Sequence, residues 1–285
     1  MPDKTFQFPS NVDGFMLTGY NWSPAVVPNA VVVISHGAAE HSLRYDRFAR
    51  VLNAAEYEVW SLDHRGHGAS AGPDGLGDFG EGGWDALVAD IAQFVDMAKK
   101  ANPEKPVALL GHSMGAAAAQ QFAPDHSAAI DALILSGSTL REPPKEGEAP
   151  PAFAPNKAFE PARTNYDWLS RDEAEVDAYI ADPLCGFEMQ SARRPGMRAN
   201  PFQLNDPARL RSIRPDLPVL LVAGDADPIN EGLVGLKRLR DRWQEAGVRR
   251  IDTQFYPGGR HEMLNETNRD EVMDNIITWL DAVLG

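Results

Sequence analysis

A glycine-flanked turn, GHSMG at residues 111–115, is the feature that most constrains the fold of this chain. It lies between an apolar run at residues 107–110 and an alanine-rich stretch that starts at Met114, which predicts a strand, a tight turn and a helix. Such a turn lifts the hydroxyl of Ser113 above the end of a sheet, and glycines on each side leave room for it. The alternative is a serine that only caps a helix. The turn therefore predicts an exposed, nucleophilic serine.

Apolar runs alternate with helical patterns along most of the chain. The continuous β-branched run at residues 30–34 is typical of a strand that is buried on both faces. Repeated alternation of this kind predicts an α/β fold, with a mostly parallel twisted sheet flanked by helices. Strands are expected at residues 15–22, 30–34, 57–62, 107–110, 130–135, 217–223 and 251–256, and helices at 44–55, 84–100, 114–122, 233–246 and 271–284.

The alternation stops between residues 138 and 206. Residues 141–155 contain five prolines without periodicity, which indicates a loop, whereas residues 167–181 have a helical pattern that the sequence RRPG at 193–196 later breaks. We therefore expect an α/β core in two parts, residues 1–137 and 207–285, with a mainly helical cap inserted at residues 138–206.

Charge and cysteine content exclude several classes of protein. With 41 acidic and 27 basic residues the net charge is −14, which disfavours binding to nucleic acid or to an anionic membrane surface. Cys185 is the single cysteine, so neither an internal disulfide nor a thiolate metal cage can form. The sequence has no visible secretion signal and no apolar run of about 18 residues. We expect a cytoplasmic protein that is a monomer or a weak homo-oligomer. It should have no stable membrane anchor, although it can contact lipid transiently.

A nucleophilic serine needs a base and a carboxylate that orients it. Of seven histidines, His261 lies in a loop between the last predicted strand and the last predicted helix, where sites of α/β sheets form. The acid should follow a strand that lies between the serine and the histidine in the chain. Asp225 and Asp227 both follow the strand at 217–223, and spacing does not decide between them.

The negative charge that forms on the substrate during such a reaction needs backbone N–H donors. We expect one donor at Met114, directly after the serine, and the other at Ala38, in the loop after the strand at 30–34. Four histidines lie near this loop and the next one, but no carboxylate spacing completes a metal-ligand set, so we expect a hydrogen-bond network and no metal. These histidines are His36, His41, His64 and His67.

Several motifs together resemble the monoacylglycerol lipase and lysophospholipase branch of the α/β-hydrolases. The sequence HGAAEHSLRY at residues 36–45 is similar to that family's oxyanion loop, and DHRGHGAS at 63–70 to its D-x-R-G-H-G-x-S loop. The segment from residue 170 to the DPLC sequence at 182–185 is similar to its cap. The resemblance covers nearly the whole chain. It places the acid on Asp227 and the base on His261, and it implies an enzyme that needs no cofactor.

The function that this resemblance implies is serine-dependent hydrolysis of a small, neutral acyl ester such as a monoacylglycerol. A lysophospholipase and a prolyl aminopeptidase-type peptidase are the alternatives on the same fold, and a non-catalytic binding module is disfavoured because the serine, acid and base are all present. The prolines and charges of residues 143–155 differ from an apolar, membrane-touching lid. Six residues of the cap are candidates to line an acyl pocket: Phe153, Phe159, Trp168, Leu169, Phe187 and Met189.

Overall fold

One sheet of eight strands organises the protein, for which a computed structural model describes residues 1–72, 75–143, 154–189 and 200–285. The strand order is β1-β2-β4-β3-β5-β6-β7-β8, in which β1, β2 and β4 pair antiparallel and the remaining neighbours pair parallel. The predicted α/β class with a mostly parallel sheet is therefore confirmed. The strands are β1 (Lys4–Pro9), β2 (Met16–Trp22), β3 (Ala30–Ser35), β4 (Tyr57–Asp63), β5 (Val107–His112), β6 (Ala132–Ser136), β7 (Val219–Gly224) and β8 (Ile251–Tyr256).

Helices cover both faces of the sheet. Every residue of β3, β5, β6 and β7 is buried, as the continuous apolar runs predict for strands covered on two sides. One face packs against α2, α3 and α7, and the other packs against α1 and α8. The helices are α1 (Asp46–Ala54), α2 (Gly83–Ala101), α3 (Met114–His126), α4 (Glu173–Ala181), α5 (Asn200–Leu204), α6 (Pro207–Leu210), α7 (Val234–Glu245) and α8 (Arg269–Leu284).

The edge strand β1 is an element that the sequence analysis missed. Its two phenylalanines, Phe6 and Phe8, pack with ring centroids 6.2 and 5.6 Å from that of Phe94 in α2. Two aromatic residues in alternation were the available signal, but a pattern this short is too weak to predict a strand.

The cap region, for which we keep the predicted bounds 138–206, holds α4 and α5, and its described residues form no strand. The helix expected at residues 167–181 begins only at Glu173, which corrects that prediction. Asp172 accepts a hydrogen bond from the backbone N–H of Ala174 at 3.1 Å and so caps the helix start. The residues before it are held by Arg260, which donates to the carbonyl of Ser170 at 3.0 Å. No helix in the described part of the chain is long and apolar enough to span a membrane.

Candidate active site

Ser113 lies at the sharp turn between β5 and α3, at the carboxyl edge of the sheet. Its backbone has φ +52° and ψ −112°, a strained conformation for a residue with a side chain. Its N–H donates to the carbonyl of Ser136 at 2.9 Å. A Cβ atom on Gly115 would lie 2.0 Å from the carbonyl oxygen of Ser35, so only glycine lets α3 start this close to β3.

His261 and Asp227 meet at the same edge of the sheet. His261 follows β8, and its Nδ1 lies 2.9 Å from Oδ2 of Asp227, which follows β7. The second carboxylate oxygen of Asp227 accepts from the N–H of Ile229 at 2.8 Å, and both side chains are buried. Asp225 instead accepts from the N–H of Gly258 at 2.7 Å in an exposed turn. The structure thus brings Asp227, and not Asp225, to the histidine.

The imidazole of His261 can accept a proton at its second nitrogen, Nε2. Burial disfavours its charged form, but the charge and hydrogen bond of Asp227 outweigh burial, so the pKa of His261 lies above its ordinary value. Its Nε2 is buried and has no hydrogen-bond partner in the described part of the chain. The ring lies between those of His112 and Trp168, with centroid separations of 4.9 and 4.8 Å, which restricts rotation of the imidazole.

The loop after β3 lies beside the serine. The N–H of Gly37 donates to Oε1 of Glu40 at 2.5 Å, and Ala39 has a left-handed backbone with φ +53°. A Cβ on Gly37 would lie 3.3 Å from Cβ of Ser113, so this loop runs directly beside the serine. The N–H groups of Ala38 and Met114 donate no hydrogen bond to any residue that the structure describes, as expected of donors kept for a ligand.

A cavity of about 650 Å³ opens above Ser113 and His261, within the size range of small-molecule sites. Its described walls combine the two predicted N–H donors with apolar side chains from the core, such as Trp84 and Leu204. Phe159 is not among the lining residues, and its ring instead packs against the guanidinium of Arg260, 4.3 Å from the ring centroid. Phe153 lies outside the described residues. The other four cap candidates, Trp168, Leu169, Phe187 and Met189, line the cavity.

The comparisons with known proteins identify the family of the chain. Residues 27–268 match the model of a family described as serine aminopeptidase, S33. The chain belongs to this family. It is 31% identical over 279 residues to the monoacylglycerol lipase of Mycolicibacterium smegmatis, covering 95% of each chain. It is also 34% identical over 230 residues to human monoglyceride lipase, covering 76% of this chain and 71% of the human one. The α/β-hydrolase resemblance and the expected class, a carboxylic ester hydrolase, are therefore confirmed.

Solved structures support the fold of this hydrolase over its full length. A thermostable carboxyl esterase from Bacillus coagulans, solved in complex with glycerol, superposes with a TM-score of 0.88 at 25% identity and covers 100% of both chains. A monoacylglycerol lipase of Paleococcus ferrophilus superposes with a TM-score of 0.71 at 24% identity, covering 93% of this chain and 98% of the other. The second likeness concerns the fold alone.

A buried cluster of two carboxylates and one guanidinium lies under the site of the hydrolase, and the sequence analysis missed it. Arg44 donates to Oε2 of Glu40 at 2.6 Å and to both carboxylate oxygens of Glu262 at 2.8 and 2.7 Å. We call these three residues the carboxylate–arginine cluster. Glu40 belongs to the loop of Ala38, and Glu262 directly follows His261. The i,i+4 spacing of Glu40 and Arg44 was the available signal, but the third member lies 218 residues away.

The ionisation of this cluster follows from its contacts. Burial raises the pKa of the Glu40 carboxyl, but the Arg44 charge, together with two nearby histidines and the N–H of Gly37, outweighs burial and holds that pKa at about 2. The pKa of Glu262 is lowered in the same way, again against the effect of burial. Both carboxylates are therefore ionised at neutral pH. The cluster ties the predicted oxyanion loop to the histidine loop by charge.

Three of the four loop histidines, His36, His64 and His67, lie together in a buried group, whereas the fourth, His41, bonds Asp182 in the cap. The ring of His36 lies 4.4 and 5.2 Å from those of His64 and His67, measured between centroids. His64 Nε2 lies 2.9 Å from the hydroxyl of Ser35, and its backbone N–H donates to His36 at 3.0 Å. Burial lowers the pKa of all three, to about 3 for His67, so these rings stay neutral.

The cap is bonded to the loop that follows β3 and to the loop that carries His261. The backbone N–H of His261 donates to the carbonyl of Trp168 at 3.3 Å, and that of Glu262 donates to Leu169 at 2.8 Å. On the other loop, the carbonyl of Ala39 accepts from the N–H of Gly186 at 2.9 Å and from the hydroxyl of Tyr179 at 2.9 Å. The residues that line the cavity from above are therefore fixed relative to the site.

Proposed function

We propose that the protein hydrolyses small, neutral acyl esters through a catalytic triad of Ser113, His261 and Asp227. One observation carries the proposal. The strained Ser113 turn shares a cavity with an imidazole whose Nδ1 is bonded to a buried carboxylate and whose Nε2 has no described partner. This is the arrangement of a nucleophile, a general base and an orienting acid.

In the first half-reaction, Oγ of Ser113 attacks the ester carbonyl carbon and its proton passes to Nε2 of His261. The carbonyl oxygen becomes an oxyanion, which the N–H groups of Ala38 and Met114 bind; each such donor contributes about 3–4 kcal/mol to stabilising the transition state. The tetrahedral intermediate then breaks its bond to the alcohol oxygen. That oxygen takes the proton from His261, the alcohol leaves, and an acyl-serine remains.

In the second half-reaction, a water molecule attacks the acyl-serine. His261 accepts one proton of the water and returns it to Oγ of Ser113 as the second tetrahedral intermediate collapses, which releases the carboxylic acid. Asp227 holds the imidazole so that Nε2 faces the reacting atoms, and its charge stabilises the imidazolium formed in both steps. Asp227 therefore contributes to both steps through His261.

A monoacylglycerol-like ester fits the described cavity best. The walls are largely apolar, contributed by residues such as Trp84, Met114 and Leu204, and they suit an acyl chain. Relatives from Mycolicibacterium and human carry the name of lipases for such esters. A lysophospholipid is the second candidate, since Arg141 on the described wall offers a cation for its phosphate.

A peptidase that holds a substrate ammonium group needs a free carboxylate in the cavity. The two acidic residues of the described lining, Glu40 and Glu262, are both bonded to Arg44. The cap carboxylates of Glu175 and Asp177 pair with arginines and do not line the cavity. This arrangement favours ester over peptide substrates, in spite of the aminopeptidase name of the family.

The proposal is tested by changing Ser113 to alanine and comparing the variant with the unchanged protein. We expect loss of hydrolysis of p-nitrophenyl esters and of monoacylglycerols, together with loss of covalent labelling by a fluorophosphonate. Retained labelling or near-normal turnover in Ser113→Ala would refute the assignment. A panel of esters of rising chain length, run beside lysophospholipids and proline-naphthylamide, identifies the substrate class. Faster cleavage of the naphthylamide would favour the peptidase.

A further inference from the structure

Three metal-ligating side chains meet where the cap contacts the loop after β3. The ligand atoms of His41, Asp182 and Cys185 all lie within 4.8 Å of one another. His41 belongs to the oxyanion loop, and the other two follow α4 in the cap. None of the three has a role in the proposed hydrolysis, and they lie apart from the described cavity wall. From this cluster we propose a reversible binding site for Zn²⁺ that joins the cap to the oxyanion loop.

The donor set fits a borderline-soft divalent cation. Imidazole nitrogen, carboxylate oxygen and thiolate sulfur are the three ligand types that Zn²⁺ takes in proteins, at about 2.0–2.3 Å. Tetrahedral geometry at those bond lengths separates neighbouring ligand atoms by about 3.4–3.6 Å. His41 Nε2 and Asp182 Oδ2 are now 2.9 Å apart, so the ion would replace their shared proton while they separate slightly. The sulfur is at most 4.8 Å from either atom, so it must approach them by no more than about 1.4 Å to complete the tetrahedral spacing.

The backbone around the cluster is already organised. The second carboxylate oxygen of Asp182 accepts from the N–H of Leu184 at 2.9 Å, which leaves Oδ2 facing His41. The N–H of Cys185 donates to the carbonyl of Asp182 at 3.0 Å, and the next residue, Gly186, donates to the carbonyl of Ala39. Two of the three ligands therefore lie in one tight turn, and that turn is fixed on the loop that supplies the third.

Local charge also favours a cation. Arg44, a cation close to Asp182 and Cys185, is paired with both Glu40 and Glu262, so the carboxylate–arginine cluster carries a net negative charge. Three protein ligands leave a fourth position to water, an arrangement that binds and releases the ion more readily than a closed four-ligand structural site. Zn²⁺ bound here would link residue 41 to residues 182–185 and so restrain the cap against the loop that carries Ala38.

The single cysteine makes the site directly measurable, because every thiol signal from this protein comes from Cys185. The reaction rate of the thiol with an aromatic disulfide is followed in the metal-free protein while Zn²⁺ is added. We expect the rate to fall about tenfold at a Zn²⁺ concentration about ten times the dissociation constant, as simple mass action requires. Mg²⁺, which prefers oxygen ligands, should give no protection. Co²⁺ should produce a thiolate-to-metal absorption band.

Variants separate this site from adventitious binding. Asp182→Asn and His41→Gln should each abolish thiol protection, whereas His126→Gln, which lies outside the cluster, should leave it unchanged. Zn²⁺ should also raise the melting temperature of the unchanged protein, because it binds the folded state. Cys185→Ser should lose both this rise and the Co²⁺ band. Unaltered thiol reactivity at millimolar Zn²⁺, or equal protection in Asp182→Asn, would overturn the proposal. None of these measurements uses turnover, so they stand independently of the proposed ester hydrolysis.

Discussion

The nucleophile side and the base side of the candidate site are built by different physical means. Ser113 is positioned by backbone geometry, with a left-handed turn, two close-packed glycines and no charged partner in the turn itself. His261 is positioned by charge, through Asp227 on one side and the carboxylate–arginine cluster on the other. The first side should therefore respond to changes in shape, and the second to changes in charge and pH.

The base side offers the largest expected effect. Asp227→Asn keeps the size of the side chain but removes the charge and favours the wrong imidazole tautomer, so kcat for a p-nitrophenyl ester should fall by about 10⁴-fold. Asp225→Asn is the matched control two residues earlier, and it should change kcat less than about threefold because that side chain bonds only a turn. Equal losses in the two variants would leave the orienting acid unidentified.

The carboxylate–arginine cluster should show its effect in stability. Arg44→Met removes the cation from between two buried carboxylates, so the free energy of unfolding should fall by about 3–5 kcal/mol, measured by urea denaturation. Arg47→Met is the control one turn along the chain. Its exposed ion pair with Glu175 should contribute less than about 1 kcal/mol. A similar loss in both variants would contradict the view that the cluster holds the loops together by charge.

The nucleophile side should lose activity through a change of shape alone. Gly115→Ala would place a methyl group 2.0 Å from a backbone oxygen of β3, so α3 or the strand must move. A displacement of about 1 Å at Ser113 can lower kcat by about 10²-fold. Gly14→Ala is the control, because its position is open, with no atom within 4 Å of the added methyl group. It should lower stability slightly and leave kcat unchanged, and normal turnover in Gly115→Ala would show that the turn tolerates the shift.

The same comparison explains how much the sequence could predict. The nucleophile side is local in the chain, so GHSMG between a strand and a helix predicted both the turn and Ser113. His261 was predictable because a loop after a strand limits where it can lie. The partner Asp227 was chosen over Asp225 only through a family resemblance, since two aspartates in one turn differ in direction and not in spacing. The bonds from Arg44 to Glu262 and the bonds from the cap depend on contacts between residues more than 90 positions apart, which no local pattern encodes. The predicted cap helix was too long, because tertiary contacts hold residues 167–172 outside the helix.

A pH profile gives the smallest expected effect and tests the base side. His261 must be neutral to accept the proton of Ser113, and its pKa lies above the ordinary value of 6.5. The acid limb of kcat/KM should therefore have its midpoint above pH 6.5. That midpoint should move to lower pH in Asp227→Asn, which removes the charge that raises the pKa of His261.

For stability the sign is opposite: His261 stabilises the fold below its unfolded pKa, and that contribution is lost as pH rises through the raised value. Glu40 stabilises the fold above its ordinary pKa of 4.5, and this is lost as pH falls towards about 2. Because Glu40 stays ionised throughout the activity limb and the pKa of the adjacent His112 is lowered to about 4 by burial, neither of these two groups should contribute to that limb. An acid limb below pH 6.5 in the unchanged protein would contradict charge as the means by which the base side is tuned.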